Sequence, residues 1–182
     1  VDYGLVSGNS QWGMCVADFD NDGHKDVFSG GSYDGVHVQH ITAIGESTSM
    51  ELQNGNIFMQ ACNWADINND GYLDVFACHD DGLSRMWTGA SDGTLTPAPS
   101  LMPLDDYALA NYSGNDHSGN YGTVFTDFDN DGWVDLYIVG GSVNVPGIGM
   151  NRLLRNTNQN GNHWIELELC GTISNRSAIG AR

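Results

Sequence analysis

Three stretches of the chain repeat one pattern of oxygen-bearing side chains: Asp18-Phe-Asp-Asn-Asp-Gly-His-Lys-Asp26, Asp66-Ile-Asn-Asn-Asp-Gly-Tyr-Leu-Asp74 and Asp127-Phe-Asp-Asn-Asp-Gly-Trp-Val-Asp135. Positions one, three, five and nine are Asp18, Asp20, Asp22 and Asp26; Asp66, Asn68, Asp70 and Asp74; and Asp127, Asp129, Asp131 and Asp135. Position six is glycine each time: Gly23, Gly71 and Gly132. A hard cation asks for this arrangement. Calcium takes about six to eight oxygens at roughly 2.3–2.6 Å, so carboxylates must converge from a short loop. Glycine permits the sharp turn because it has no Cβ. The backbone carbonyl at position seven (His24, Tyr72, Trp133) would add an oxygen, and the Asp at position nine would close the cage. Asp-Asn-Asp-Gly is also an ordinary turn sequence. Three copies that each keep all four oxygen positions and the glycine favour the metal reading. Each loop is therefore expected to hold one Ca²⁺. The second, with one fewer carboxylate, is expected to bind most weakly.

The elements that position these loops are strands. An EF-hand would need Glu at position twelve and a helix on each side. Here position twelve is Ser29, Ala77 or Ile138. Upstream lie 12–17, 62–65 and 121–126; downstream lie Val27-Phe28, Val75-Phe-Ala77 and Leu136-Tyr-Ile-Val139. These are short β-branched and aromatic runs, so each loop is read as joining two strands of a hairpin.

The formal charge is −17, and the loops hold eleven of the 23 acidic residues. Three Ca²⁺ would offset about six of those charges. The acidity is thus in part a metal-site signature. It argues against nucleic acid, whose phosphates would be repelled, and against an anionic membrane surface. No run reaches the length of a membrane-spanning helix. With Val1 first and Arg182 last, both ends are expected to be cuts in a longer chain or the termini of a mature form. Calcium is abundant outside cells, so an extracellular location, secreted or cell-surface, is expected.

Of four cysteines (Cys15, Cys62, Cys78, Cys170), none has metal-binding spacing. A symmetric second hairpin would set Cys62 opposite Cys78, within disulfide reach. It would also set Ser29 opposite Cys15. The alternative is that all four are small buried thiols.

The loops start at residues 18, 66 and 127, so each repeat has room for about four strands. The repeats are read as about 10–57, 58–100 and 120–160. Strands are expected over 36–41, 49–52, 84–88, 92–96, 150–155 and 163–169. Residues 97–119 form a polar insert. Four-stranded units at this period point to an all-β chain of antiparallel, blade-like repeats of the β-propeller type.

The strand, acidic loop, strand unit resembles the FG-GAP (or VCBS-like) repeat. Residues 64–76 and 125–137 carry the match, and the resemblance covers about 10–156. It implies calcium-bearing β-propeller blades, as in integrin α heads. The tail 161–182 is similar to the opening of an ASPIC/UnbV domain, which follows such repeats in secreted proteins similar to cartilage acidic protein. Three blades fall short of the four to eight that typically close a ring. Exposed sheet edges, with 163–169 as donor strand, are therefore expected to mediate assembly with other protein chains.

Nothing in the chain reads as an enzyme. His79-Asp80-Asp81 and Asp116-His117 are the tempting acid/base clusters; His79 is read instead as a strand-end residue beside a turn and His117 as a solvated loop residue. His37 and His40, three apart in a strand, cannot share one metal. Trp12, Trp64, Trp87, Trp133 and Trp164 are expected to pack between blades rather than stack on sugars. Asn111 and Asn175 sit in N-glycosylation sequons. The expected function is a calcium-binding adhesion or scaffold module, with a subunit of an extracellular filament or larger assembly as its sharper form. The alternative is a carbohydrate-binding accessory domain of a secreted enzyme.

Overall fold

Strand pairing follows chain order throughout the computed structural model, which describes residues 11–80, 83–101, 120–141, 151–158, 160–165, 167 and 170. The strands are β1 (Gln11–Ala17), β2 (Asp26–Gly31), β3 (Val36–Ala43), β4 (Glu46–Glu51), β5 (Met59–Ala65), β6 (Asp74–His79), β7 (Arg85–Gly89), β8 (Leu95–Pro97), β9 (Asn120–Thr126), β10 (Asp135–Gly140) and β11 (Arg152–Leu154). They form three antiparallel meanders: β1-β2-β3-β4, β5-β6-β7-β8 and β9-β10-β11. The all-β, blade-like architecture is the expected one. Each acidic loop joins the first two strands of its sheet: β1 to β2, β5 to β6, β9 to β10.

The sheets stack face to face, and the alternation of side chains along β6 shows why. All six of its residues are buried. Val75 and Ala77 face the first sheet, joining Phe19, Phe28, Val36, Val38, Ile57, Met59 and Trp87 in one core. Phe76 and Cys78 face the third sheet, joining Ile67, Met86, Leu136 and Ile138 in a second. A two-residue period sends neighbours to opposite faces, so one strand serves two cores. Among the described residues, no strand covers the outer faces of the end sheets. Trp12, Met14 and Val16 are exposed on β1, and Val124, Val139 and Leu153 on the third sheet.

Three expectations are corrected. Asp74 pairs with Ala65, not Asp66, so Cys62 faces Ala77 in register and Cys78 faces Ala61. One residue of slip moves a side chain to the other face. Cys62 therefore joins the first core and Cys78 the second. No Cys62–Cys78 bond forms, and all four thiols are free. The same slip sets Cys15 opposite Phe28, with Ser29 opposite Met14. The expected strand 163–169 is absent at its described residues: His163, Trp164, Ile165 and Leu167 belong to no strand and are exposed. Instead, Asn160 and Asn162 donate their side-chain amides to the Asn68 carbonyl at 2.7 and 2.9 Å, which leads the chain across the second loop rather than along a sheet edge. Among the described residues the third sheet thus has three strands. Finally, the tryptophans divide. Trp87 is fully buried, Trp64 stacks on Phe19 at 5.7 Å, and Trp12, though largely exposed, lies 5.4 Å from the Phe58 ring, whereas Trp164 is exposed. His117 and both sequons lie outside the described residues.

Candidate metal centres

The three loops share one backbone design. Asn21, Asn69 and Asn130 at position four have φ of 60°, 53° and 57°, and Gly23, Gly71 and Gly132 at position six have φ of 93°, 90° and 86°. Asn is among the few residues with a Cβ that tolerate this left-handed region, and glycine adopts it freely. The alternating winding turns the odd positions inward. Side chains then accept from the loop's own amides. Position one accepts from position six (Gly23 N–H to Asp18, 3.1 Å; Gly71 N–H to Asp66, 2.8 Å; Gly132 N–H to Asp127, 2.8 Å). Position five accepts from position seven: the N–H groups of His24, Tyr72 and Trp133 donate to Asp22, Asp70 and Asp131 at 2.7, 2.9 and 3.0 Å. Position three accepts from position five in the first two loops, through Asp20 and Asn68.

The ninth position does more than its sequence role required. Asp26, Asp74 and Asp135 are each fully buried. One oxygen of each accepts the N–H of position two: Phe19 at 3.3 Å, Ile67 at 2.9 Å and Phe128 at 3.0 Å. The other accepts an N–H from the third strand of the sheet or the residues just after it: Ile41 at 2.8 Å, Gly89 at 2.9 Å and Asn156 at 2.7 Å. This carboxylate staples the loop to its own sheet. Burial raises the pKa of Asp26, and it pushes that of Asp74 up to about 6. The two backbone donors oppose that rise without cancelling it.

Oxygens remain for a cation. Ligand-capable atoms of Asp18, Asp20 and Asp26 lie within 4.8 Å of one another, as do those of Asp127, Asp129 and Asp135. That span is about twice a calcium–oxygen distance. Asp18 Oδ1 is buried with no hydrogen-bond partner, and a buried anionic oxygen left unpaired is costly unless a ligand meets it. The donor set is all oxygen in the second loop, where Asn68 replaces a carboxylate. The loops share one side of the stack: Phe19 of the first stacks on Trp64 beside the second, and Asn69 of the second donates to the Gly132 carbonyl of the third at 3.1 Å.

Sequence reasoning missed the basic groups that reach these loops. The residue just before each third-strand donor faces its loop in two of the three cases. His40 Nε2 lies 2.7 Å from Asp20 and 3.5 Å from Asp22. Arg155 spans Asp129 at 2.5 Å and Asp131 at 2.7 Å, and these carboxylates raise the Arg155 pKa. The second loop has Thr88 at this place. Only the repeat offset from position nine could have flagged these residues, and that offset varies with hairpin length. Charge count alone makes the second loop weakest, but Arg155 draws on two carboxylates of the third. The indole of Trp164 also lies directly over Gly132, where a Cβ would overlap it.

Elsewhere, Gln60 Nε2 donates to the buried Asp80 at 2.9 Å, and the His79 N–H donates to Ser84 Oγ at 3.2 Å. These are packing interactions at the end of β6. A cleft of about 480 Å³ opens between the β4–β5 connection and β7–β8, lined by Asn54, Leu83, Arg85, Met86, Trp87 and Pro97 among others.

Stacked antiparallel meanders, each with an acidic loop between its first two strands, define a repeat protein of blade-like units. Residues 18–77 and 66–138 match the FG-GAP-like repeat, and the chain belongs to that family. No curated protein matches the chain. FG-GAP repeats are generally non-catalytic structural modules, typical of extracellular and adhesion-type proteins. Among the described residues no helix is long and apolar enough to cross a membrane.

Proposed function

We propose that the chain is a secreted or cell-surface adhesion or scaffold module whose loops each bind one Ca²⁺. The observation that carries this reading is the gathering of inward oxygens in loops of one geometry, with Asp18 Oδ1 buried and unpaired inside the first. The ligands are Asp18, Asp20, Asp22 and Asp26; Asp66, Asn68, Asp70 and Asp74; and Asp127, Asp129, Asp131 and Asp135, with the carbonyls of His24, Tyr72 and Trp133. The cation neutralises carboxylates that otherwise repel and rigidifies the hairpin. The first loop, with four carboxylates and no arginine, binds most tightly. Calorimetric titration with calcium is expected to give three sites. No binding, or a single site, overturns the reading.

The tail 161–182 is proposed as the start of an ASPIC/UnbV-like segment. Partners are other protein chains, which pack on the outer faces at Met14 and Val16 or at Val124, Val139 and Leu153. Exposed apolar groups on these strands support face packing beside the expected edge pairing. Light scattering in millimolar calcium tests assembly, and a monodisperse monomer argues against it. The carbohydrate-binding alternative gains little from the cleft, whose aromatic residue, Trp87, is fully buried and offers no ring face for a sugar.

A further inference from the structure

Cys15 and Cys62 meet across the first sheet interface. Cys15 is the fifth residue of β1, and Cys62 lies in β5. Both pack against the core shared by sheets one and two. Two irregularities bring them together. The register slips between Met59 and Ala61, which puts Met59 and Cys62, three residues apart, on the face toward β1. Gly13 then lets the strands close: a Cβ there would stand 3.3 Å from both the Cα and the nitrogen of Ala61 and 2.9 Å from the Met59 methyl. Gly13 and Cys15, two apart, share a face. The result brings the two thiols together at the edge of one core.

We propose that Cys15 and Cys62 form a disulfide that staples the first sheet to the second in an oxidising environment. The remaining cysteines are placed elsewhere. Cys78 lies in the second core, on the opposite face of the sheet from Cys62, and Cys170 is exposed. The equivalent positions at the second interface, counted back from the loops, are Asn63 and Thr123, so the crosslink is specific to the first. Contact with Cys15, together with burial, raises the pKa of the Cys62 thiol. With a small-molecule disulfide such as oxidised glutathione, the thiolate of one cysteine forms a mixed disulfide and releases one glutathione thiolate. The other cysteine, on losing its proton, displaces the second. Two protein thiols become one disulfide, one glutathione disulfide becomes two thiols, and the two protons pass to the released glutathione.

The test equilibrates the full chain in a glutathione redox buffer, alkylates it, and maps peptides without reduction. One Cys15–Cys62 crosslink and two alkylated thiols, Cys78 and Cys170, are expected. The bond closes a loop of about 48 residues, so the oxidised protein should melt roughly 10 °C above the reduced one, in EDTA as in calcium. Cys15→Ala should abolish both the crosslink and the shift, and a Cys78→Ser, Cys170→Ser double variant should keep both. Four alkylated thiols in the natively folded chain, or a crosslink between any other pair, overturns the proposal. The readout does not involve the loops, so its failure leaves the calcium reading standing, and the reverse also holds.

Discussion

Asp74→Ala separates the two roles that the ninth loop position combines. The side chain is fully buried, and its oxygens accept the N–H groups of Ile67 and Gly89, both at 2.9 Å. Alanine leaves two buried donors without acceptors, at about 1–3 kcal/mol each. Part of that loss is offset, because burial already opposes ionisation of Asp74, whose pKa is pushed up to about 6. A net loss of about 2–4 kcal/mol follows, against a total of about 5–15 kcal/mol for a domain. For a chain of this size that lowers the melting temperature by roughly 4–16 °C. The assay is thermal unfolding followed by circular dichroism in EDTA, where loop metal is removed. Asp70→Ala is the control. Asp70 is exposed and accepts only from the nearby N–H of Tyr72, so its loss in EDTA stays within about 0.5 kcal/mol. In calcium the control changes character, because it forfeits a metal increment of about 2.7 kcal/mol at a hundredfold excess over Kd. An Asp74→Ala protein that melts with the wild type in EDTA would refute the staple and reduce position nine to a ligand.

Two further outcomes follow from the same geometry. Gly89→Ala should lose about 1–3 kcal/mol in melting experiments, since its Cβ would overlap the Leu73 carbonyl oxygen and the backbone must shift; a neutral result would mean that the loop and third strand are not in contact. Arg155→Gln should tighten cation binding at the third loop in a terbium luminescence titration, because it frees Asp129 and Asp131; unchanged or weaker binding would show that Arg155 does not compete with the ion.

The acidic loops and their hairpins were legible because the spacing is local. Oxygen-bearing side chains at positions one, three, five and nine with a glycine at six leave few geometries open. Position four was equally legible in principle, since Asn21, Asn69 and Asn130 are identical in all three copies and hold the left-handed turn. Strand register was not. The prediction that Cys62 faces Cys78 assumed a hairpin symmetric about the loop, whereas Ala65 rather than Asp66 opens the ladder and a bulge follows at Gln60. One residue of slip inverts every face. The basic residues at the loops were hidden for a different reason: the offset from position nine is 14 residues to His40 and to Thr88 but 20 to Arg155, because the second hairpin of the third repeat is longer, and the second repeat has threonine at this place. The strand expected at 163–169 failed because alternation records only an amphipathic segment, while the side-chain amides of Asn160 and Asn162 decide where it goes.

Positions two and nine together tie a loop to more than its own sheet. Phe19 carries the first loop into the core between sheets one and two, where it stacks on Trp64. Ile67 carries the second loop into the core between sheets two and three. Ile67 is held at both backbone ends: its N–H donates to Asp74, and its carbonyl accepts from Asn156 Nδ2 at 2.7 Å. The Asn156 N–H in turn donates to Asp135 of the third loop at 2.7 Å. An unbroken chain of hydrogen bonds therefore runs from Asp74 through Ile67 and Asn156 to Asp135. Phe128, at the same position of the third loop, is exposed; among the described residues the corresponding plug has no further sheet to enter. Loop order and sheet stacking are thus one problem in this fold. A change that loosens one loop removes a plug from the adjacent core, and a partner seated on the outer face of the third sheet would cover Phe128 as the third sheet covers Ile67.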